Sequence, residues 1–180
     1  MGLFYNVELN SLEDLLRLEL NDLYDAENRL CDALPKMAEA ATSPGLKEAF
    51  QRHFEQTRRQ VSRLEQIFVD LGTPAGRETC DAMKGLIKEG AEIIAATGNP
   101  AVKDAALISA AQRVEHYEVA GYGSARTFAR LLGHSTVARL LQLTLDEEKE
   151  TDQRLTQLAE GNINVRAETA AGAGSKDWEA

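Results

Sequence analysis

The sequence is poor in residues that mark several common protein classes. Its 180 residues include two cysteines, four prolines and one tryptophan, and aromatic residues make up 6%. Cys31 and Cys80 fall in separate predicted helices with no CxxC pairing, which argues against a disulfide framework and against a thiolate zinc site. We therefore predict two buried or unreactive thiols.

Long apolar runs and an excess of basic residues are also lacking. No N-terminal apolar run resembles a secretory signal, and the longest apolar stretches are far shorter than the roughly 20 residues that span a bilayer. The formal net charge is -9, and the Lys and Arg residues are scattered along the chain. Neither nucleic acid nor a membrane is therefore expected as a partner, because both attract clustered basic residues. We expect a soluble, cytoplasmic protein.

What the sequence does have is a helical pattern of apolar residues, which make up 43% of the chain. Spacings of three and four predict long helices over residues 12–40, 46–71, 100–132 and 136–160. Residues 72–100 predict a long connection that carries one or two short helices. The last residues are small and polar, so we predict one domain over residues 1–160 and a flexible tail over residues 161–180.

An internal repeat relates the two halves of the predicted domain. When the chain is shifted by 91 positions, the apolar residues of the first two helices align with those of the last two. Leu16 then aligns with Leu107, and Glu27 aligns with Glu118. Two helical hairpins joined by a long crossover are the plan of a ferritin-like four-helix bundle, which is the all-α fold that we predict.

Carboxylates interrupt the apolar stripes near the middle of three predicted helices. Glu27 occupies an apolar position in the first helix, and Glu118 does so in the third. The fourth helix has Glu148 and Asp152 one turn apart on its inward face. In an antiparallel bundle these groups would lie at the same level, so they predict one shared polar layer.

The second helix contributes polar side chains of a different kind. His53 and Gln60 lie near the centre of its apolar face, and Gln56 lies toward the flank. Glu115 in the third helix and Glu147 in the fourth lie at the edges of their stripes, so we rank them as further candidate ligands. For His53 alone, a hydrogen-bonded core histidine is the simpler interpretation.

Energetics favour a metal site for the carboxylates. An ionised carboxylate in a dry core costs several kcal/mol, and several such groups repel one another. Because we find no Lys or Arg within the same stripes, we predict that two divalent metal ions supply the missing positive charge. Oxygen-rich ligands with one imidazole favour iron or manganese, and zinc is a further candidate.

Four sequence blocks resemble the bacterial YciE/YciF family of ferritin-like stress-induced proteins. The blocks are LYDAENRLCDALPKMAEAATSP, HFEQTRRQVSRLEQIF, HYEVAGYGSARTFARLLG and LLQLTLDEEKETDQRL. The resemblance covers about residues 11–159. It implies a rubrerythrin-like four-helix bundle, a two-metal site between the helices and a homodimer, but no particular activity.

The candidate ligands depart from the general di-metal carboxylate pattern, which has one Glu on each of two helices and Glu-x-x-His on the other two. Glu27 and Glu118 fit the single positions. The fourth helix has Thr151 where the histidine would lie, and Asp152 is the expected substitute. The second helix offers these side chains instead: His53, Gln56 and Gln60. With this atypical set of ligands, three alternatives stay open: the site binds metal loosely, it holds a single ion, or it is a relic.

Two functional hypotheses follow. In the first, the protein is a metal-binding stress-response protein whose metal pair reacts with oxygen or peroxide. Tyr24, Thr57 and Thr151 would then hold the ligands in place through hydrogen bonds. In the second, the protein is a structural or interaction dimer with a vestigial metal site and no catalysis.

Overall fold

The structure is a computed structural model that describes residues 8–76 and 78–172. Within these ranges the chain forms helices and no β-strand. The helices are α1 (Leu12–Ala40), α2 (Pro44–Asp70), α3 (Asp81–Ala95), α4 (Pro100–Leu131), α5 (Ser135–Leu158) and α6 (Asn164–Gly172), with a π-helical turn over Ala159–Ile163. None of the described helices combines the length and the apolar content that a bilayer-spanning segment needs.

Two hairpins, α1–α2 and α4–α5, pack together as a four-helix bundle. At one end of the bundle, the Asp104 carboxylate near the start of α4 accepts hydrogen bonds of 2.8 Å from the backbone N–H groups of Thr42 and Ser43. At the other end, His134 Nε2 lies 3.2 Å from a carboxylate oxygen of Glu13. These contacts make α1 and α4 antiparallel, and the predicted bundle of two hairpins is confirmed.

The connection between the hairpins runs the length of the bundle, because α2 ends at the opposite end from the start of α4. Asn21 Oδ1 accepts a hydrogen bond of 2.6 Å from the Gly76 N–H, and the Asp25 carboxylate accepts one of 2.7 Å from the Cys80 N–H. Beyond Cys80, α3 packs against α1 and α4. The predicted long crossover is therefore present, and it carries one short helix.

The predicted helix bounds agree closely with the structure, and the exceptions have local causes. Ser11 Oγ accepts a hydrogen bond of 3.1 Å from the Asp14 N–H and so caps α1 at the predicted residue. α2 begins at Pro44 rather than at residue 46, because the fixed φ of proline suits the first helical position.

The chain continues as a helix beyond the predicted end of the domain at residue 160. A π-helical turn leads from α5 into α6, which packs against α4. Ala159 and Ile163 are buried in the same apolar cluster as Leu155, so the apolar face of α5 extends into this segment. Residues 161–172 of the predicted tail are thus helical, and the rest of that prediction lies outside the described residues.

The bundle core consists of two apolar clusters and a polar layer. Cluster I surrounds Phe50 and Leu107, and cluster II surrounds Leu16 and Leu141. Buried polar side chains at mid-length lie between them, and we call this set the polar layer: Glu27, His53, Thr57, Gln60, Glu115, Glu118, Thr144 and Glu148. The candidate functional site is part of this layer.

Candidate metal centre

Four buried side chains from three helices converge at the middle of the bundle. They are His53 of α2, Glu115 and Glu118 of α4, and Glu148 of α5, and we call them the quartet. Each offers one ligand atom, and these atoms lie within 4.8 Å of one another. The exposed fraction is 2% for His53 and 1% or less for the three glutamates. One imidazole nitrogen and three carboxylate oxygens at this separation form a cluster that could hold a metal ion.

The helical repeat explains how two neighbouring ligands come from α4. Glu115 and Glu118 are three positions apart, so their side chains lie on the same side of the helix. Sequence reasoning placed Glu115 at the edge of its stripe, yet the structure buries it between α4 and α2, where its Oε1 atom lies 3.2 Å from His53 Nε2.

Glu27 of α1 belongs to the same electrostatic unit, although it is not one of the quartet. Its Oε1 atom accepts a hydrogen bond from the Tyr122 hydroxyl. Its Oε2 atom is buried and has no hydrogen-bond partner in the described chain. Burial raises the pKa of Glu27 well above its usual value, and the nearby charge of Glu148 raises it further.

Unpartnered polar atoms are concentrated in the polar layer. In the described part of the chain, nine of the ten buried side-chain nitrogen and oxygen atoms without a hydrogen bond belong to it, and the tenth is Thr73 Oγ1. Both oxygens of Glu118 and both ring nitrogens of His53 are among the nine. Since buried polar groups in proteins normally have partners, these atoms fit a bound cation that they would coordinate.

His53 is poised to act as a neutral ligand. Burial lowers its pKa to about 4, so the imidazole is uncharged at neutral pH and one ring nitrogen keeps its lone pair. The contact with Glu115 does not have the geometry of a hydrogen bond, and neither ring nitrogen is bonded elsewhere within the described residues. The alternative interpretation, in which His53 is a hydrogen-bonded core histidine, would require a partner that the described residues do not provide.

The carboxylates of the quartet bind protons more tightly than an exposed glutamate does. Burial is the largest cause at each of them, raising the pKa of Glu148 to about 7 and the pKa values of Glu115 and Glu118 well above their usual range. Repulsion adds to this effect, because the charge of Glu148 raises the pKa of Glu115. A metal ion would displace these protons on binding.

A chain of polar contacts leads from the quartet toward solvent. Gln60 Nε2 donates hydrogen bonds to Glu148 Oε1 and, at 3.1 Å, to Glu147 Oε2. Arg63 in turn donates to both carboxylate oxygens of Glu147, at 2.9 and 3.1 Å. The edge candidate Glu147 is therefore paired with Arg63, outside the quartet.

Sequence reasoning missed Arg63 altogether. Its backbone lies off the apolar stripe of α2, but a long side chain can reach inward from the flank, and its exposed fraction is 15%. The sequence did hold one sign of its role: Arg63 comes three residues after Gln60, so both side chains lie on the same side of α2.

Asp152 does not join the quartet. Its side chain is 28% exposed and accepts a hydrogen bond of 3.0 Å from Gln112 Nε2. Asp152 is four residues after Glu148, so its side chain leaves the helix in a slightly different direction. In the structure that direction leads to Gln112 at the flank of α4 rather than to the quartet.

The other predicted residues divide between the layer and its surroundings. Thr57 lies in the layer, fully buried. The Tyr24 hydroxyl instead donates a hydrogen bond of 3.1 Å to Glu65 Oε1, and Thr151 Oγ1 donates one of 3.1 Å to the Glu147 carbonyl oxygen. Gln56 is buried but lines a polar cleft between α2 and α5.

Comparison with known proteins gives consistent matches over most of the chain. Residues 11–168 match the model of a family described as a domain of unknown function, DUF892. The chain is also 44% identical over 166 residues to the protein YciF of Escherichia coli strain K12, and the alignment covers 92% of this chain and 100% of YciF.

Solved structures show the same helical bundle. The crystal structure of the E. coli stress protein YciF matches with a TM-score of 0.84, covering 87% of this chain and 99% of that one. YcfI of Rhodopseudomonas palustris, for which a structural role has been suggested, is 40% identical with a TM-score of 0.81, covering 85% of this chain and 98% of its own. A protein of Xanthomonas campestris pv. campestris, 20% identical with a TM-score of 0.70 and coverage of 89% and 99%, shows the shared fold alone.

Proposed function

The chain belongs to the DUF892 family, and on that premise we propose that it is a metal-binding stress-response protein with a dinuclear site for iron or manganese. The observation that carries this proposal is the quartet with its unpartnered atoms, since four buried ligand atoms lie within 4.8 Å of one another. The stress-response part rests on the 44% identity to YciF, which is described as a stress protein.

Charge balance supports two ions rather than one. Glu27, Glu115, Glu118 and Glu148 are four carboxylates, so two divalent cations would neutralise them when all are ionised. The quartet would hold one ion, and Glu27 would extend the site for a second. The neutral imidazole and the oxygen-rich ligands suit iron or manganese, and zinc is a further candidate.

The chain's own residues prepare this site in defined ways. Tyr122 fixes the orientation of Glu27, and Gln60 fixes that of Glu148. The apolar clusters on both sides exclude bulk water from the ligands. When bound, a reduced metal pair would supply electrons to oxygen or peroxide.

Metal analysis tests the proposal directly. The full chain would be purified without chelators, incubated with Mn²⁺ or, under anaerobic conditions, with Fe²⁺, and analysed for metal after gel filtration. We expect about two equivalents per chain, and a content below about one would contradict the proposal. Glu27→Ala with Glu118→Ala should lose the metal, whereas the control Glu55→Ala with Glu89→Ala, at exposed positions, should keep it.

The second candidate function is a structural or interaction scaffold with a vestigial site. The suggested structural role of YcfI, at 40% identity, favours it. This alternative expects Glu27→Ala with Glu118→Ala to leave the fold and any partners intact. Metal-dependent consumption of peroxide that disappears in the same double variant would exclude it.

We further propose that the protein is a homodimer and that it acts in the cytoplasm on a small oxidant such as peroxide. Two large apolar side chains at one end of the bundle support self-association, because Val69 is 73% exposed and Leu131 is 69% exposed. Light scattering of the purified chain should give twice the monomer mass. Val69→Lys with Leu131→Lys should shift it to the monomer if this end is the interface.

A further inference from the structure

A cavity of about 240 Å³ lies between α1, α3 and α4, outside the metal centre. Its wall is largely apolar, with Leu30 and Met37 from α1, Ile87 and Ile94 from α3, and Val114 from α4. An apolar cavity of roughly 150 Å³ is enough to bind benzene in another protein. The cavity between the three helices is therefore large enough for a small apolar group.

Gly90 keeps the cavity open. This residue lies inside α3 and is buried, yet a Cβ atom added to it would meet no atom within 4 Å in the described part of the chain. Glycine is a poor helix former, so its place in the middle of α3 weakens the helix without improving the packing. A larger side chain at this position would fill the space that the cavity now occupies.

The rim of the cavity is basic, although the whole chain carries a formal net charge of -9. Its charged lining residues are Arg29, Asp32, Lys36 and Lys84. Arg29 is balanced by Asp25, whose carboxylate accepts a hydrogen bond of 2.6 Å from it. Among the described residues, neither Lys36 nor Lys84 has a carboxylate oxygen within 4.0 Å, so both ammonium groups are available to an anion.

We propose that this cavity binds a small amphipathic carboxylate. The alkyl chain lies against the apolar walls in front of Gly90, and the carboxylate is held at the rim by Lys36 and Lys84. A ligand with an apolar body and one negative end suits both the apolar walls and the basic rim, whereas a neutral or cationic amphiphile suits only the walls. The site is separate from the metal centre, and the inference does not depend on bound metal.

Octanoate is a suitable probe, and isothermal titration of the full chain measures its binding. We expect one octanoate per chain, with octanol at least about tenfold weaker and octyltrimethylammonium weaker still. Gly90→Leu should weaken octanoate binding by about tenfold or more. Gly85→Leu is the matched control, because Gly85 lies in the same helix and is exposed, so the substitution should leave binding unchanged.

The charged rim gives a second, independent variant. Lys36→Gln with Lys84→Gln should weaken octanoate binding about tenfold and leave octanol binding as it was. Both residues are exposed, so this variant keeps the test valid if Gly90→Leu fails to fold.

Several outcomes would overturn the proposal. They include no octanoate binding to the unmodified chain, unchanged binding in Gly90→Leu, and equal binding of octanoate and octanol. Light scattering on the same samples decides a further case. If octanoate or Gly90→Leu dissociates an oligomer, a second copy of the chain covers the cavity, and the carboxylate site does not exist.

Discussion

The two apolar clusters and the polar layer share one bundle core, but they contribute to stability in opposite ways. In clusters I and II, side chains such as Phe50 and Leu141 are at most 1% exposed and pack among other apolar side chains. In the polar layer, equally buried atoms of Glu118 and His53 have no hydrogen-bond partner in the described chain. The clusters therefore stabilise the fold by themselves, whereas the layer destabilises it until something binds there.

The largest effect should come from breaking an apolar cluster. Phe50→Ala in cluster I removes a ring that is 1% exposed, and we expect the free energy of unfolding to fall by about 3–5 kcal/mol. The loss should be the same with and without added metal, because Phe50 offers no ligand atom. Urea unfolding followed by circular dichroism measures it.

The matched control for Phe50→Ala is Leu143→Ala, at an apolar residue that is 44% exposed. Its effect should stay within about 0.5 kcal/mol. A loss below about 1 kcal/mol for Phe50→Ala would show that cluster I does not stabilise the bundle as described.

In the polar layer, the same kind of substitution should have the opposite sign. Glu118→Met replaces a fully buried carboxylate, both of whose oxygens are unpartnered within the described chain, by an apolar side chain of similar length. In EDTA we expect the free energy of unfolding to rise by about 1–4 kcal/mol. Saturating Mn²⁺ should then stabilise the unmodified chain but not the variant.

Glu55→Met is the control for Glu118→Met, since Glu55 is exposed on α2. It should change stability little and leave the response to Mn²⁺ intact. Destabilisation of the metal-free protein by Glu118→Met would mean that Glu118 has a stabilising partner, which contradicts the contrast between layer and clusters.

The pH dependence of the metal-free protein should show the same contrast. Glu148 has a pKa of about 7, raised by burial from 4.5, so between these values the folded chain binds more protons than the unfolded chain. The free energy of unfolding contributed by such a group decreases as pH rises. His53 has the opposite effect between about pH 4 and pH 6.5: burial lowers its pKa, so its contribution to the free energy of unfolding increases as pH rises.

Above pH 6.5 the opposing contribution of His53 fades, because the imidazole of the unfolded chain also loses its proton there. From there to about pH 8 we expect stability in EDTA to fall with rising pH, by up to about 1.4 kcal/mol per pH unit for each titrating glutamate. Urea unfolding at a series of pH values measures the slope, which Glu118→Met should reduce. A stability that increases with pH over this range would contradict the prediction.

The apolar clusters were the predictable part of the molecule. Spacings of three and four are set by the geometry of the helix, so the bounds of α1 and the inward position of Glu27 followed from the sequence alone. The crossover was also predictable, since the repeat implied two equivalent hairpins and the connection between them was too long for a simple turn.

The detailed membership of the polar layer was less predictable, because helical phase locates the Cα–Cβ direction but not the end of a long side chain. Sequence reasoning placed Asp152 on the inward face of its helix and Glu115 at the edge of its stripe, yet only Glu115 is buried in the quartet. Which of the two turns inward depends on the tilt and rotation of α4 and α5 against their neighbours, and one sequence does not determine these. Arg63 was missed for the same reason.

Arg63 provides the smallest and most discriminating test of the contrast. It lies at the outer edge of the layer, where it pairs with Glu147 and donates a hydrogen bond of 2.5 Å to Thr144 Oγ1. Burial raises the pKa of Glu148 to about 7, and the positive charge of Arg63 partly offsets this rise. Arg63 thus acts as a weak resident counter-charge to the carboxylates in the metal-free protein.

Arg63→Gln should therefore separate the stability of the layer from its affinity for metal. The free energy of unfolding in EDTA should fall by about 1 kcal/mol, because the side chains of Arg63 and Glu147 are 15% and 26% exposed, so solvent at the edge of the layer screens the pair only in part. The affinity for Mn²⁺, measured by titration, should increase several-fold, because a cation that opposes metal binding has been removed.

Arg52→Gln, which breaks a pair whose side chains are 65% and 64% exposed, should change neither quantity. A weaker affinity in Arg63→Gln would show instead that Arg63 positions Glu147 and Gln60 for the bound ion, and the polar layer would then depend on its rim as much as on its buried carboxylates.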